Sequence, residues 1–480
     1  MKRTAKYIII LLAVLAVLGG ATVLLLNLPQ DGTGEESSAP SSSETELVKL
    51  FDRQAEEVQS VDVENTEDSF SLVLESGGSE ETNFTLEGYG GYDLWTSTIS
   101  ANVRTLLGFN AVKDLGSQEN LEAFGLGSDA VKITVHYKDG SSEKLLLGTD
   151  AGETAGRYAL KNDNVYIVAG VPAEFYGSKF SYFNTEVYTI ADRTEAVAGD
   201  DGNTTVNTVE DLLSSMELSG AHYPDPISIE STSKCISGYM ITEPVTAESG
   251  NTAFNELVTS LKSLTATVVD AGLSDEKLEE YGLAEPDARI VFELNNSKHS
   301  MAVSAKDSDG KRYLIADDTD TVYVVENSAV EKWAEGSLLG LRMSYIWIAN
   351  IKDVEEVSIT AGGETHSYHV TRTVNEEKST DTNTDYDLTI VDAGGNDISY
   401  DDAYQPFYQK LISLAVFSQD QVELSGTPDI QVQYKYFNGG SDSIALYKVE
   451  GQNRYAAALN GQFNGLVRGG EVEAMLETIP

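Results

Sequence analysis

Asp381, Asn383, Asp385 and Asp387 alternate in the run D-T-N-T-D-Y-D, and Asp392 stands twelfth counting from Asp381. Oxygen ligands at those places have the spacing of an EF-hand calcium loop. The sixth place holds Tyr386, where such a loop needs glycine, and no flanking helices are expected. A polar hairpin loop therefore accounts for the stretch as well. Asp317, Asp318 and Asp320 form a second acidic turn. His366 and His369 read as H-x-x-H, but on a strand the odd spacing sends them to opposite faces, where they would not chelate one metal. His136, His222 and His299 are scattered along the chain. No G-x-S-x-G elbow, Walker A loop or dinucleotide fingerprint occurs. Carboxylates are so abundant that a hydrolase built on a chance pair stays open as one class of function. The expectation is a chain with no catalytic residue and no cofactor.

Another pattern recurs. Arg157 and Tyr158 open RYALKNDNVYIV (157–168), Arg312 and Tyr313 open RYLIADDTDTVYVV (312–325), and Arg454 and Tyr455 open RYAAALNGQFNGLV (454–467). The repeated arginine invites a ligand-site reading. A position present in every copy more often serves the shared supersecondary unit, so a structural role is expected. The 24 tyrosines could offer stacking surfaces to sugars, but most stand in strand patterns where packing explains them.

Three copies of one pattern imply three copies of one module. Residues 58–76 align without a gap on 354–372. Val58, Val61, Val63, Leu72 and Leu74 fall on Val354, Val357, Ile359, Tyr368 and Val370. The period of two on either side of a polar turn predicts a β-hairpin with one buried face. The second module is expected to open the same way over 226–242. A helix then follows in each module, within 94–107, 252–264 and 406–414. In the second, Phe254, Leu257, Val258, Leu261 and Leu264 share one face. The connectors LEAFGL (121–126) and LEEYGL (278–283) place a glycine at a left-handed C-cap, and the third module keeps only LSG (424–426). Strand pairs turn at Asp139-Gly140, Asn295-Asn296 and Asn438-Gly439. Short helices at 172–176, 328–333 and 470–477 close the modules. Modules one and two run on into similar exits, at 179–190 and 342–359.

The fold class expected is α+β: three tandem modules of mainly antiparallel sheet with packed helices, preceded by one transmembrane helix. The boundaries read as follows: basic end and anchor 1–28, acidic Ser-rich stalk and short helix 29–57, module one 58–190, connector 191–225, module two 226–350, module three 354–480. One short helix is expected within 44–57. Another is expected over 209–216 in the connector, with Thr208 as its N-cap.

The whole chain narrows the function. Its 480 residues carry a net charge of −45, from 77 acidic and 32 basic side chains. That field repels phosphate backbones, and no basic patch offsets it, so nucleic acid is not an expected partner. Cys235 is the single cysteine, which excludes an internal disulfide and a cysteine zinc site. Its apolar-alternating surroundings predict a buried core thiol. Lys2, Arg3 and Lys6 precede an apolar run over 7–26, and Asp31, Glu35 and Glu36 follow it. About 20 apolar residues at about 1.5 Å each span a bilayer core. The positive-inside rule puts the N-terminus in the cytoplasm and the bulk of the chain outside. A cleaved signal peptide is the rival reading; the run is long for one, and no A-x-A site follows it.

The order of these pieces resembles the bacterial domain-of-unknown-function 4340 family. The matching residues in the second module are YMITEP (239–244), TATVVD (265–270), LEEYGLAEPDARIVF (278–292), RYLI (312–315) and VYVV (322–325). In the first module they are LEAFGL, VKITVHYKDGSSEKLLLG, RYAL and VYIV, with Trp95 near the place of the missing proline. The resemblance implies membrane anchoring and a role as auxiliary component of an ABC-type transport system of the kind linked to gliding motility. The implied partners are a permease and an ATPase; no reaction is implied. The leading expectation is therefore a non-enzymatic, single-pass, extracytoplasmic accessory or binding subunit. A cell-envelope module that binds wall glycans or an extracellular protein comes second.

Overall fold

The computed structural model describes residues 48–75, 82–152, 154–198, 204–380 and 384–480. The expected anchor and most of the stalk lie outside them. Among the described residues no helix is long and apolar enough to cross a membrane.

Three large sheets dominate these residues, and their strands pair antiparallel. The sheets share one strand order, except that among the described residues the first has eight strands, one fewer in its meander than the nine-stranded second and third. A meander leads away from a central first strand, a helix follows, and one strand crosses to the far edge. Four further strands then return from that first strand to the edge. The central first strands are Val58–Glu64, Leu213–Gly220 and Val354–Ala361. The aligned hairpins of modules one and three keep one register, with Val61 opposite Leu72 and Val357 opposite Tyr368. Val58, Val61 and Val63 are buried, as are Val354, Val357 and Ile359. Each such side chain contributes about 1.5–3 kcal/mol when removed from water.

The second sheet opens earlier than expected. Residues 213–220 form its central strand, paired with both Tyr223–Ser231 and Ala288–Leu294. The helix expected over 209–216 is therefore absent, and 226–242 holds the second and third strands of the sheet. The cause is a β-bulge. In all three modules the register slips after the first buried residue, between Val58 and Ser60, Leu213 and Ser215, and Val354 and Glu356. The bulge spaces the buried residues three apart, then two, as in Leu213, Met216 and Leu218. In VEDLLSSMELSG that spacing imitates a helical stripe. The rest of the expected connector holds an exposed hairpin, Thr194–Ala198 with Thr204–Thr208.

The core helices form where expected, at Thr96–Leu107, Thr252–Ser260 and Gln405–Ile412. Asn251 caps the second, its side chain accepting from Phe254 N at 2.9 Å. Pro406 sits in the first turn of the third, where its missing N–H costs nothing. Leu264 is buried, but on the strand Ser263–Thr265 that follows the helix. Within 44–57, the described residues hold only a 3-10 turn, Ala55–Glu57.

The exits belong to the modules that follow them. Glu186–Thr189 pairs with Ser263–Thr265 of the second module. Tyr345 bridges Ala415 in the third, as Lys49 bridges Asn110 in the first. These lead-in segments string the modules together, and residues 49–480 form one compact unit. Most buried apolar residues of modules one and two make one continuous cluster, while Met240 joins the separate cluster of module three.

Candidate functional site

The acidic calcium-like run does not assemble as a loop between helices. Asp381 and Asn383 lie outside the described residues. Asp385 precedes the strand Tyr386–Asp392, on which Asp387 and Asp392 stand. Asp385 Oδ1 meets Lys352 Nζ at 2.9 Å, and this contact pulls its carboxyl below the ordinary range. Asp387 accepts from Asn375 at 2.9 Å. Asp392 accepts from Asn396 and from turn amides, which lower its pKa in that order. Asp317 holds a tight turn, accepting from Ser300 N and contacting His299, while Asp320 accepts from Tyr92. His366 and His369 are opposite Ile359 and Glu356 in the register, three residues apart on one strand. Among the described residues no three His, Cys, Asp or Glu side chains form a metal-binding group.

The repeated arginines occupy equivalent strands but differ in fate. Arg312 is buried and binds Asp287, Glu335, Asn327 and the Ser304 carbonyl. Arg157 lies 4.0 Å over the Tyr176 ring. Arg454 is half-exposed. Cys235 corrects its expectation: it is half-buried in the turn between Tyr223–Ser231 and Tyr239–Glu243, with its Sγ 3.4 Å from the Tyr239 carbonyl. Burial raises its thiol pKa.

A concavity lies elsewhere, between modules two and three. This groove encloses about 1000 Å³. One wall is the turn over 230–236, which carries Cys235 and the exposed Ile236. The other wall comes from the hairpin tips at 436–442 and 459–460, with Trp347 to Asn350 between them. A chain of hydrogen bonds fixes this side. Trp347 Nε1 donates to the Tyr436 hydroxyl at 3.1 Å, which donates to Asp442 Oδ2 at 2.7 Å. Asn460 Nδ2 donates to Asp442 Oδ1 at 2.8 Å. Burial first, and Asp442 after it, raise the Tyr436 pKa above the usual phenol value. Arg372 stacks 4.1 Å from the Phe437 ring centroid and donates to the Lys352 carbonyl.

Module one treats the same corner differently. Tyr137 pairs with Val58 as Tyr436 pairs with Val354, and the aligned sequences put Phe51 where Trp347 stands. There Lys161 contacts Glu143 and the Leu50 carbonyl, and lies 3.5 Å from the Phe51 ring centroid. Arg53 stacks over Tyr137 at 4.4 Å. Two cations thus pack this corner in module one, where module three has the Asn460 amide and the Trp347 indole around Asp442, with Arg372 stacked on Phe437.

A latch holds the groove walls together. Arg342 is buried, and its Nη2 donates to Asn464 Oδ1 at 2.8 Å. Asn464 in turn donates to the Thr246 carbonyl at 2.6 Å, and Gln462 to the Pro244 carbonyl at 3.2 Å. The partners of Arg342 are amide oxygens, and burial pulls its pKa down. Sequence reasoning missed Trp347, Tyr436, Asp442, Asn460, Arg342 and Asn464. Extending the gapless alignment back to Phe51 and Trp347 would have flagged the first.

Residues 240–399 match a domain of unknown function, DUF4340. Over these residues the chain is similar to the DUF4340 family. The DUF4340 match begins at Met240, in the third strand of the second sheet, and ends just past Asp397–Ile398 of the third. It therefore straddles two modules. It takes in Arg312, Arg342, Trp347 and Arg372 but stops short of Tyr436, Asp442 and Asn460. No curated protein and no solved structure matches the chain.

Proposed function

We propose that this protein is a membrane-anchored, extracytoplasmic binding subunit, non-enzymatic, that works beside an ABC-type permease and ATPase. The observation that carries the binding half is the preorganised groove between modules two and three. Its side chains are already locked to one another, which lowers the ordering cost of taking up a ligand. The anchoring half rests on the basic residues Lys2, Arg3 and Lys6 ahead of the apolar run at 7–26. The transporter half rests on the family resemblance. One helix is too little for a transport path, so energy for transport would come from other subunits. The test is co-purification from membranes in mild detergent after cross-linking. A multi-span permease should be recovered, and replacing residues 7–26 with an unrelated anchor should weaken the association. Recovery of the protein as a lone species would overturn the transporter half. A second reading, an envelope module that binds glycans or an extracellular protein, is favoured by the mixed polar and apolar lining of the same groove.

A further inference from the structure

We infer that the groove between modules two and three takes a chain of uncharged sugars; this rests on the binding half of the reading above. Charge is the first argument. The lining holds Glu230, Asp353 and Asp442 against Lys234 and Arg372. Asp442 is engaged by Tyr436 and Asn460, and Arg372 by Phe437 and the Lys352 carbonyl. The net charge of −45 repels an anionic ligand. Among the described residues no three-ligand group exists to hold a metal ion.

Geometry is the second argument. The walls are turns at the ends of two sheets, built from 230–236, 436–442 and 459–460. A peptide bound as an added strand needs a free sheet edge, which turns do not present. A ligand here must be gripped by side chains. Those side chains mix apolar surface from Ile236, Met240, Ile348 and Phe437 with the amides of Asn350 and Asn438. A pyranose has that duality, with C–H faces for apolar and aromatic surface and hydroxyls that both donate and accept.

Size and the internal repeat complete the case. A volume of about 1000 Å³ is at the top of the range for small-molecule pockets, so several sugar units fit. In module one, Lys161 and Arg53 pack the equivalent corner. At the corner in module three, Asn460 and Trp347 supply hydrogen bonds around Asp442, while Arg372 is held aside on Phe437 and Asp353.

The experiment uses the full chain in a detergent without sugar headgroups. Probes are soluble tetra-N-acetylchitotetraose, an acidic tetragalacturonate, and chitin beads for the polymeric form. Binding is read by calorimetry and bead retention. Ile236→Asp and Ser441→Trp alter exposed positions on the groove lining, and circular dichroism confirms that both fold. The neutral sugar should bind saturably as tetramer, as beads or as both. Ile236→Asp should weaken it about ten-fold and Ser441→Trp should abolish it. Stronger retention on beads than tetramer binding assigns the ligand to an anchored glycan, and the reverse to a free oligosaccharide. Failure of both neutral forms, preference for the acidic tetramer, or binding untouched by both substitutions overturns the inference. If permease co-purification persists while neutral sugar fails, only this inference falls. If sugar binds and the permease is absent, only the transporter half does.

Discussion

At the residue scale, one repeated position shows how context divides a shared pattern. Arg312 and Arg454 follow the same sheet order, yet only Arg312 is enclosed by carboxylates, with Asp287 at 2.7 Å and Glu335 at 2.8 Å. Arg312→Met should cost about 3 kcal/mol, because it removes a buried guanidinium from its ion pairs with two half-buried acids. Arg454→Met should stay within about 0.5 kcal/mol. Urea unfolding of both variants checks this, and equal losses would refute it. The same cluster sets an acid response. Hydrogen bonds from Lys306 and then Arg312 hold the Glu335 pKa at about 2, against an ordinary 4.5. A depressed carboxylate stabilises the fold above its unfolded pKa, and that stability is lost as pH falls towards its folded pKa. Stability should therefore fall between about pH 4.5 and pH 2, and Glu335→Gln should flatten that slope. Thermal melts across that range would show it.

At the element scale, modules one and two share the glycine connector but not its surroundings. Gly125 and Gly282 both have φ of +66°. A Cβ at Gly125 would meet the Thr149 backbone nitrogen at 2.8 Å, whereas at Gly282 the nearest atom is Ser304 Cβ at 3.6 Å. Gly282→Ala should cost about 1 kcal/mol for the left-handed backbone alone. Gly125→Ala should cost roughly twice that or more, since backbone must shift too. Matched denaturation curves decide it; a cheaper Gly125→Ala would contradict the packing. The glycine's conformation was legible in LEAFGL and LEEYGL. The difference in cost was not, because Thr149 on one strand and Ser304 just past another come from more than 20 residues further along the chain.

At the scale of the whole molecule, the lead-in segments explain why the modules stay together. Glu186–Thr189 and Tyr345 leave one module and pair within the next. The Arg342–Asn464 latch ties the last two further. The proposed topology makes a separate demand. Protease added to intact protoplasts should digest the chain beyond about residue 30, since a single apolar run of about 20 residues spans the bilayer once. A protected C-terminus, or a mature N-terminus located after residue 26, would overturn that arrangement.

The sequence alone determined the repeated strands, the turn dipeptides, the core helices and the gapless hairpin register. These depend on local periodicity and on φ preferences carried by neighbouring residues. It misplaced the start of the second sheet, because a bulge gives strand residues the spacing of a helix. It also left the groove unseen. Trp347, Tyr436, Asp442 and Asn460 come from three separate segments, and each taken singly looks like an ordinary linker or turn residue. Only the fold of module three, with its lead-in docked on the 436–442 hairpin, brings them to one surface, and a buried arginine whose partner lies 122 positions away sets the 230–236 turn opposite them.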